Sequence, residues 1–246
     1  MNTMEIICSL TDSEQYRIFC CKENNRYSIK ISRLSHTWFY DLCDLIDFYE
    51  NTGIRVVLNV SEKEVQSARD LYGAHRFDEP VLRSYEPKVL VHSAPKDSAD
   101  SILMDKELKC WNVLKAEKEG WEESPIGDLL GDIEDFSNYI MFADMEFNNE
   151  IIVASKQKQK IDISVEQIYT PGARFYFDAE KMAGDGLLLR DGEHIKVKNR
   201  IPLEKYMIWY ATAEKIGMDS QTTPRQFWEK SNEVFRKKFP EYGYNK

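Results

Sequence analysis

A chain of 246 residues with 42% hydrophobic and 30% charged residues is globular rather than disordered, and is long enough for one large domain or two modest ones. Its formal net charge of −9 argues against a protein that coats nucleic acid non-specifically, since neutralising phosphates needs clustered Lys and Arg. The five cysteines, Cys8, Cys20, Cys21, Cys43 and Cys110, are odd in number and form no CxxC pair, so neither a disulfide framework nor a cysteine metal site is expected. No apolar run reaches membrane-spanning length and residues 1–13 lack the pattern of a secretion signal, so a soluble, cytoplasmic protein is the expectation.

From the N-terminus, Glu5–Leu10, Tyr16–Cys21 and Tyr27–Ile31 are short apolar runs, and Asn24-Asn25 between the last two is a hairpin signal. They predict a small antiparallel sheet. Trp38, Leu42, Leu45, Ile46 and Tyr49 recur at helical spacing before Gly53 and predict an amphipathic helix from His36 to Asn51. Asp41, Asp44 and Asp47 on it come with no His or Cys ligand and read as a solvated face rather than a metal cluster. Ile54–Val60 predicts a strand, and Ser61 with Glu64 is a capping box opening a helix that runs to about Tyr72. Ala74–Pro87, with Pro80 and Pro87 and no period, reads as a linker. Residues 1–86 are therefore expected to form a small α/β domain in which nothing looks catalytic.

The second predicted domain covers residues 87–246. Val89-Leu90-Val91 reads as a buried strand ending at His92, and Pro95, Asp97, Ala99, Ile102 and Leu103 predict the helix that follows. His92 then stands at a strand-to-helix corner, where a side chain is held rigidly and can face a cleft. The alternative is an ordinary rim or core histidine bonded to backbone. Trp111–Lys115 suggests a strand. The acidic stretch Glu117–Asp135, with Gly120, Pro125, Gly127 and Gly131, suggests a long connection that is either a binding loop or a surface insertion. Tyr139–Met145, Ile151–Ala154 and Arg174–Asp178 predict strands, followed by a helical turn at Ala179–Met182 and a turn at Asp185-Gly186 into Leu187–Arg190. Asp191-Gly192 makes a second turn into the alternating strand Ile195–Lys198, and Pro202–Ile216 and Gln226–Phe239 read as closing helices. The basic residues Lys156, Lys158, Lys160, Lys181, Arg190, Lys196, Lys198, Arg200 and Lys205 form either a solvated face or a surface for an anionic ligand such as a dinucleotide. The fold class expected is α+β: a small α/β module followed by a split antiparallel sheet.

Several of these stretches, in order, resemble one family. Val89–Ser93 followed by Ala99–Leu103 is similar to the first strand and helix of the ADP-ribosyltransferase superfamily, whose members carry a strand-end histidine followed by Gly or a small residue. Phe175–Met182, Asp185-Gly186, the strand to Val197 and Ile201–Tyr206 resemble the closing segment of the RNA 2′-phosphotransferases in that superfamily. Tyr139–Met145 is similar to the central strand of its poly(ADP-ribose) polymerase branch. The closing segment, with its strand, Ala-Glu-Lys-Met corner, Gly turn and Pro-Leu-Glu-Lys-Tyr end, is the most specific part.

The resemblance implies a cleft that binds NAD, with His92 and Ser93 at the adenosine-side ribose and Tyr139 on the nicotinamide side. Glu204 would stabilise the oxocarbenium-like ribose, as a carboxylate does in glycoside hydrolysis; in the phosphotransferase branch, where the acceptor is already a phosphate, Arg174, Arg190 and Lys205 would hold it instead. Glu204 also fits an exposed helix-start glutamate after Pro202, and Arg174 a surface arginine at a strand start. The chain departs from the family in having Ser93 where Gly is usual and Met141 where the central strand carries Tyr or His. Tyr139 lies two residues earlier, on the same strand face. Residues 1–86 do not reproduce the Arg-His pair of the phosphotransferases' N-terminal domain. The implied function is an NAD-dependent ADP-ribosyl transferase or RNA 2′-phosphotransferase-like enzyme with an unidentified protein or nucleic-acid acceptor. The alternative is a catalytically silent relative that binds a nucleotide or a protein partner.

Overall fold

The computed structural model describes residues 4–13, 17–21, 26–73, 81–118, 134–146 and 148–242. The turn expected at Asn24-Asn25, residues 74–80 of the linker, and the connection carrying Gly120, Pro125, Gly127 and Gly131 lie outside them. In chain order the strands are β1 (Glu5–Thr11), β2 (Arg17–Cys21), β3 (Arg26–Ser32), β4 (Arg55–Asn59), β5 (Val89–Ala94), β6 (Glu107–Lys109), β7 (Tyr139–Phe142), β8 (Ala173–Asp178), β9 (Leu189–Arg190), β10 (Ile195–Lys198), β11 (Arg200–Pro202) and β12 (Met207–Thr212). The helices are α1 (Trp38–Thr52), α2 (Glu62–Tyr72), α3 (Lys96–Asp105), α4 (Trp111–Glu117), α5 (Asn148–Lys158), α6 (Ala179–Gly184), α7 (Leu203–Tyr206) and α8 (Pro224–Lys238). The protein is thus α+β. Among the described residues no helix is long and apolar enough to cross a membrane.

Two compact units divide the chain. The first comprises residues 1–79, 131–135 and 189–196, and the second 80–130, 136–188 and 197–246.

In the first unit the strand order is β2-β3-β1-β4. Here β1 runs parallel to both β3 and β4, with Ile6 opposite Tyr27 and Val56, and only β2 is antiparallel to β3. The expected antiparallel sheet is therefore a mixed one. Strand β2 carries the chain back at the edge so that β3 re-enters parallel to β1, and α1 crosses over between β3 and β4 and returns the chain to the same end of the sheet, the connection parallel strands require. It buries Leu42, Cys43, Leu45, Ile46 and Tyr49 and stops at Gly53 in the left-handed region (φ 73°). The capping box at α2 forms as expected, with the Ser61 hydroxyl accepting from the Glu64 N–H and the Glu64 carboxylate accepting from the Ser61 N–H.

The aspartates of α1 do not form a solvated face. Asp44 is 3% exposed and accepts from the Tyr72 hydroxyl at 2.9 Å, while Asp47 accepts both terminal nitrogens of Arg69 at 2.6 and 2.8 Å. Both partners come from α2, whose packing the local pattern of α1 could not reveal. No group of three metal-ligating side chains occurs among the described residues. Cys8 and Cys43 are buried free thiols, and burial pushes them up to about 12 and about 11, so neither is a reactive thiolate.

The second unit is built on an antiparallel sheet with order β12-β8-β5. A bridge between Val91 and Ala143 attaches the end of β7 to β5. Helices α5 and α8 supply Val153, Ala154, Phe227 and Phe235 to a core with Val89, Val91, Tyr176, Trp209 and Ala211 of the sheet. Tyr176 stacks on Phe235 with centroids 4.2 Å apart and planes at 8°.

Three expectations fail in this unit. Trp111–Lys115 lies in α4 and Ile151–Ala154 in α5, because a short apolar run satisfies either period and only its partners decide. The helix expected from Pro202 to Ile216 is instead the end of β11, the single turn α7, strand β12 and a 3-10 turn at Glu214–Ile216. Met207–Thr212 is rich in β-branched and aromatic residues and finds its ladder on β8.

Candidate functional site

Directly opposed residues of an antiparallel sheet share a face, and neighbours along a strand point to opposite faces. His92 is opposite Phe175, and Phe175 is opposite Tyr210, so these three form one row on one face. Ser93 is opposite Arg174, and Arg174 is opposite Ala211, so this second row faces the other way, toward the core shared with α5 and α8. The sheet therefore separates His92 from Ser93 and Arg174.

His92 does not end its strand as expected, because Ser93 and Ala94 continue the ladder on Arg174 and Ala173; it is half-buried within β5, and its Nδ1 lies 3.1 Å from the Met141 carbonyl of β7. A carbonyl only accepts, so Nδ1 carries the proton and Nε2 is left as an acceptor. Burial pushes the imidazole pKa down, against the pull of the carbonyl, which keeps the ring neutral. Phe142 meets the ring edge-on at 6.2 Å, and Phe142 in turn meets Phe177 at 5.4 Å. The result is a fixed, uncharged hydrogen-bond acceptor against an aromatic wall, which suits a hydroxyl ligand.

On the opposite face the hub is Glu150, 1% exposed and in the first turn of α5. Its Oε1 accepts from Ser93 Oγ at 2.5 Å and Arg174 Nη1 at 3.2 Å, and its Oε2 accepts from the Tyr169 hydroxyl at 2.7 Å. Arg174 is fully buried, and its Nη2 also donates to the Glu146 carbonyl at 3.0 Å. Burial first, and then the Glu150 charge, drive the Tyr169 phenol far above its ordinary value, so it stays a donor. Ser93 and Arg174 are thus brought together, but by Glu150 and behind His92. Glu150 is absent from the residues singled out in the sequence, where the run Ile151–Ala154 reads as a strand. On a helix, Glu150, Val153 and Ala154 share one face by their i, i+3, i+4 spacing.

Within the second unit, Tyr139 and Glu204 are not among the hydrogen-bond partners of Glu150. Tyr139 is buried at the start of β7, two residues, or about 7 Å of strand, from the carbonyl that holds His92. Glu204 is exposed in α7 and pairs with Lys106 at 2.6 Å, which holds its carboxyl below the usual range. Arg190 belongs to the first unit.

The closing segment is tied together locally. Asp178 caps α6 by accepting the Lys181 N–H at 2.9 Å, and Gly186 takes the positive φ of 69° that its turn requires. Asp185 then accepts from the Tyr206 hydroxyl and pairs with Lys205, both at 2.9 Å, linking the Gly turn to the Pro-Leu-Glu-Lys-Tyr end. Those two donors hold the Asp185 carboxyl below the usual range.

Comparisons with protein-family models, with curated proteins and with solved structures each return no match. The functional reading accordingly rests on the chain's own residues.

Proposed function

We propose that the second unit binds NAD through His92 and acts as an ADP-ribosyl transferase or RNA 2′-phosphotransferase-like enzyme on an unidentified acceptor. The observation that carries this reading is the neutral His92 ring, locked by the Met141 carbonyl with Nε2 as acceptor. A ribose hydroxyl donates to such a nitrogen, and the geometry is set before the ligand arrives, so little ordering is lost on binding. The Asp185 contacts support the same reading, because they join the two ends of the segment that resembles the phosphotransferases.

NAD supplies an activated ribose with nicotinamide as the leaving group. His92 orients the adenosine-side ribose of the ligand, and Phe142 excludes water beside it. Ser93 and Arg174 contribute from behind the strand, through Glu150, rather than as direct contacts.

A catalytically silent, nucleotide-binding relative is the second reading. Two observations favour it: Glu204 is engaged by Lys106 at the surface, and Met141 occupies the family's aromatic position. Calorimetry with NAD and ADP-ribose, together with nicotinamide release, separates the readings. Wild-type protein is expected to bind both nucleotides, and His92→Ala to bind about tenfold more weakly with its circular dichroism unchanged. Binding without nicotinamide release selects the silent relative. Absence of binding to either nucleotide removes both.

A further inference from the structure

The core between β8 and α8 holds two polar atoms that the Glu150 network leaves out. Arg174 is fully buried on β8, and its guanidinium is held at both terminal nitrogens, Nη1 by Glu150 and Nη2 by the Glu146 carbonyl. Its Nε is buried and, among the described residues, has no hydrogen-bond partner. The hydroxyl of Ser231, fully buried in α8, is in the same condition. Tyr176 lies between them: it follows Arg174 by two residues on the same face of β8, and its hydroxyl donates at 3.0 Å to Oδ1 of Asn232, the residue after Ser231. Burial pushes that hydroxyl up to about 12, while Arg174 and, more weakly, Ser231 pull it down, so both stand beside the phenol oxygen.

A buried donor without an acceptor is costly, the more so on a charged group. The guanidinium cannot turn to relieve it, because swinging Nε toward a new acceptor would break the bonds at Nη1 and Nη2. The three atoms define what fits between them. Nε only donates, so the ligand must accept; the Tyr176 hydroxyl gives its proton to Asn232 and offers lone pairs, so the ligand must also donate. Ser231 can do either. A metal or ammonium cation cannot accept from Nε. A simple anion has no proton to give, and it would add an uncompensated charge to a buried pair, Arg174 and Glu150, that already balances. Water meets both demands, and buried waters typically make about three hydrogen bonds, one for each atom here.

We infer that the core between β8 and α8 is a binding site for one structural water, which accepts from Arg174 Nε and donates to the hydroxyls of Tyr176 and Ser231. The water extends the network of Glu150 and Arg174 across to α8, where Asn232 carries it on to the Met145 carbonyl. It thereby ties the last helix to the strand that stands behind His92. The site rests on Arg174, Tyr176 and Ser231 and holds whether or not the second unit binds a nucleotide.

The test is a crystal structure of the wild-type protein at a resolution that shows ordered water, with magnetic relaxation dispersion of the water oxygen to count long-lived internal waters in solution. The expected result is one ordered water within about 3.2 Å of Arg174 Nε and of the Tyr176 or Ser231 hydroxyl. Ser231→Ala leaves two of the three bonds and is expected to keep the water. Ser231→Val puts methyl groups into the same space and is expected to expel it, so its count falls by one long-lived water relative to wild-type protein. Circular dichroism verifies that both variants fold, and if Ser231→Val does not, the wild-type crystal structure decides. The inference is overturned if Nε donates directly to a protein oxygen, with Ser231 turned back onto the Phe227 carbonyl four residues earlier. It is equally overturned if no water lies within reach of Nε, if a bromide soak places an anion there, or if wild-type protein and folded Ser231→Val hold the same number of long-lived waters.

Discussion

Replacing Arg174 by Met removes the guanidinium 3.2 Å from Glu150 and keeps an unbranched apolar chain beside the Tyr176 ring, where the Arg174 guanidinium carbon lies 5.6 Å from the centroid. Glu150 is 1% exposed, so its carboxylate would be left with the Ser93 and Tyr169 hydroxyls and no cation among its hydrogen-bond partners. Stranding a buried charge in this way costs about 3–5 kcal/mol, which for a chain of this size lowers Tm by roughly 10 °C. Glu150→Leu is expected to cost a similar amount by stranding the fully buried guanidinium. The double variant strands no charge. What it loses is the acceptor for the Tyr169 hydroxyl, about 1–3 kcal/mol, with a smaller contribution from half-buried Ser93. It is therefore expected to be more stable than the sum of the single losses allows, by at least about 2 kcal/mol of coupling. Urea unfolding followed by circular dichroism measures all four corners of the cycle. Additive losses in the double variant would refute the reasoning, since they would mean that the two side chains contribute independently.

Gly172→Ala is expected to cost about 3 kcal/mol or more, because an added Cβ would lie 2.1 Å from the Ala94 carbonyl oxygen and 2.5 Å from the Lys96 nitrogen, both backbone. Gly184→Ala, with open space around it, is the control, and equal urea midpoints for the two would contradict this account. In the first unit, Asp191 accepts from buried Lys196 at 2.5 Å and lies 3.2 Å from His194 Nδ1. Burial pushes the His194 pKa down, but Asp191 and then Glu193 outweigh it, even against Lys196, and the net shift is upward. A raised folded pKa stabilises below the unfolded value of about 6.5 and loses that contribution as pH rises through the folded value. His194 thus contributes a fall in the unfolding midpoint from pH 6 to pH 8, opposed by the lowered His92, and His194→Gln is expected to make the midpoint change from pH 6 to pH 8 more positive than in wild-type protein. An unchanged slope in the variant counts against the pairing. Asp191 has the opposite sign. Burial pushes it up, His194 and Lys196 pull it down further, and its contribution is lost only well below the ordinary carboxylate range.

Local chemistry was legible where a few adjacent residues decide the outcome. The spacing of Trp38, Leu42, Leu45 and Tyr49 predicts α1 to within two residues, Ser61 and Glu64 predict the start of α2, and Asp191-Gly192 predicts the turn between β9 and β10. Outcomes set by distant partners were not legible. Met207–Thr212 becomes a strand because Ala173–Asp178 supplies its ladder, and β4 pairs in parallel with β1 because α1 returns the chain. At the site, the strand that carries His92 was readable from Val89-Leu90-Val91 but its end was not, since Ser93 and Ala94 find their ladder on distant β8; also readable was a constraint that the family resemblance obscures: adjacent His92 and Ser93 on one strand cannot line one face. Glu150 could be found only once Ile151–Ala154 is placed on a helix.

That division of faces gives the buried ion pair a role in register. A one-residue slip of β5 on β8 would exchange His92 and Ser93 between the two faces, moving the imidazole into the core with Tyr176 and turning Ser93, with Val89 and Val91, toward the other face. Ser93 meets Glu150 only when it stands opposite Arg174, so the contacts at 2.5 and 3.2 Å both favour the register that presents His92. A buried pair adds little net stability over apolar residues of equal volume, and register is the working hypothesis for what Glu150 and Arg174 contribute. The same double variant tests it. With Leu and Met in place of the pair, only packing opposes the slip, and amide exchange across Val89–Ala94 should quicken relative to Ala173–Asp178. If β5 stays as protected as in wild-type protein, packing alone sets the register and the ion pair has no part in positioning His92.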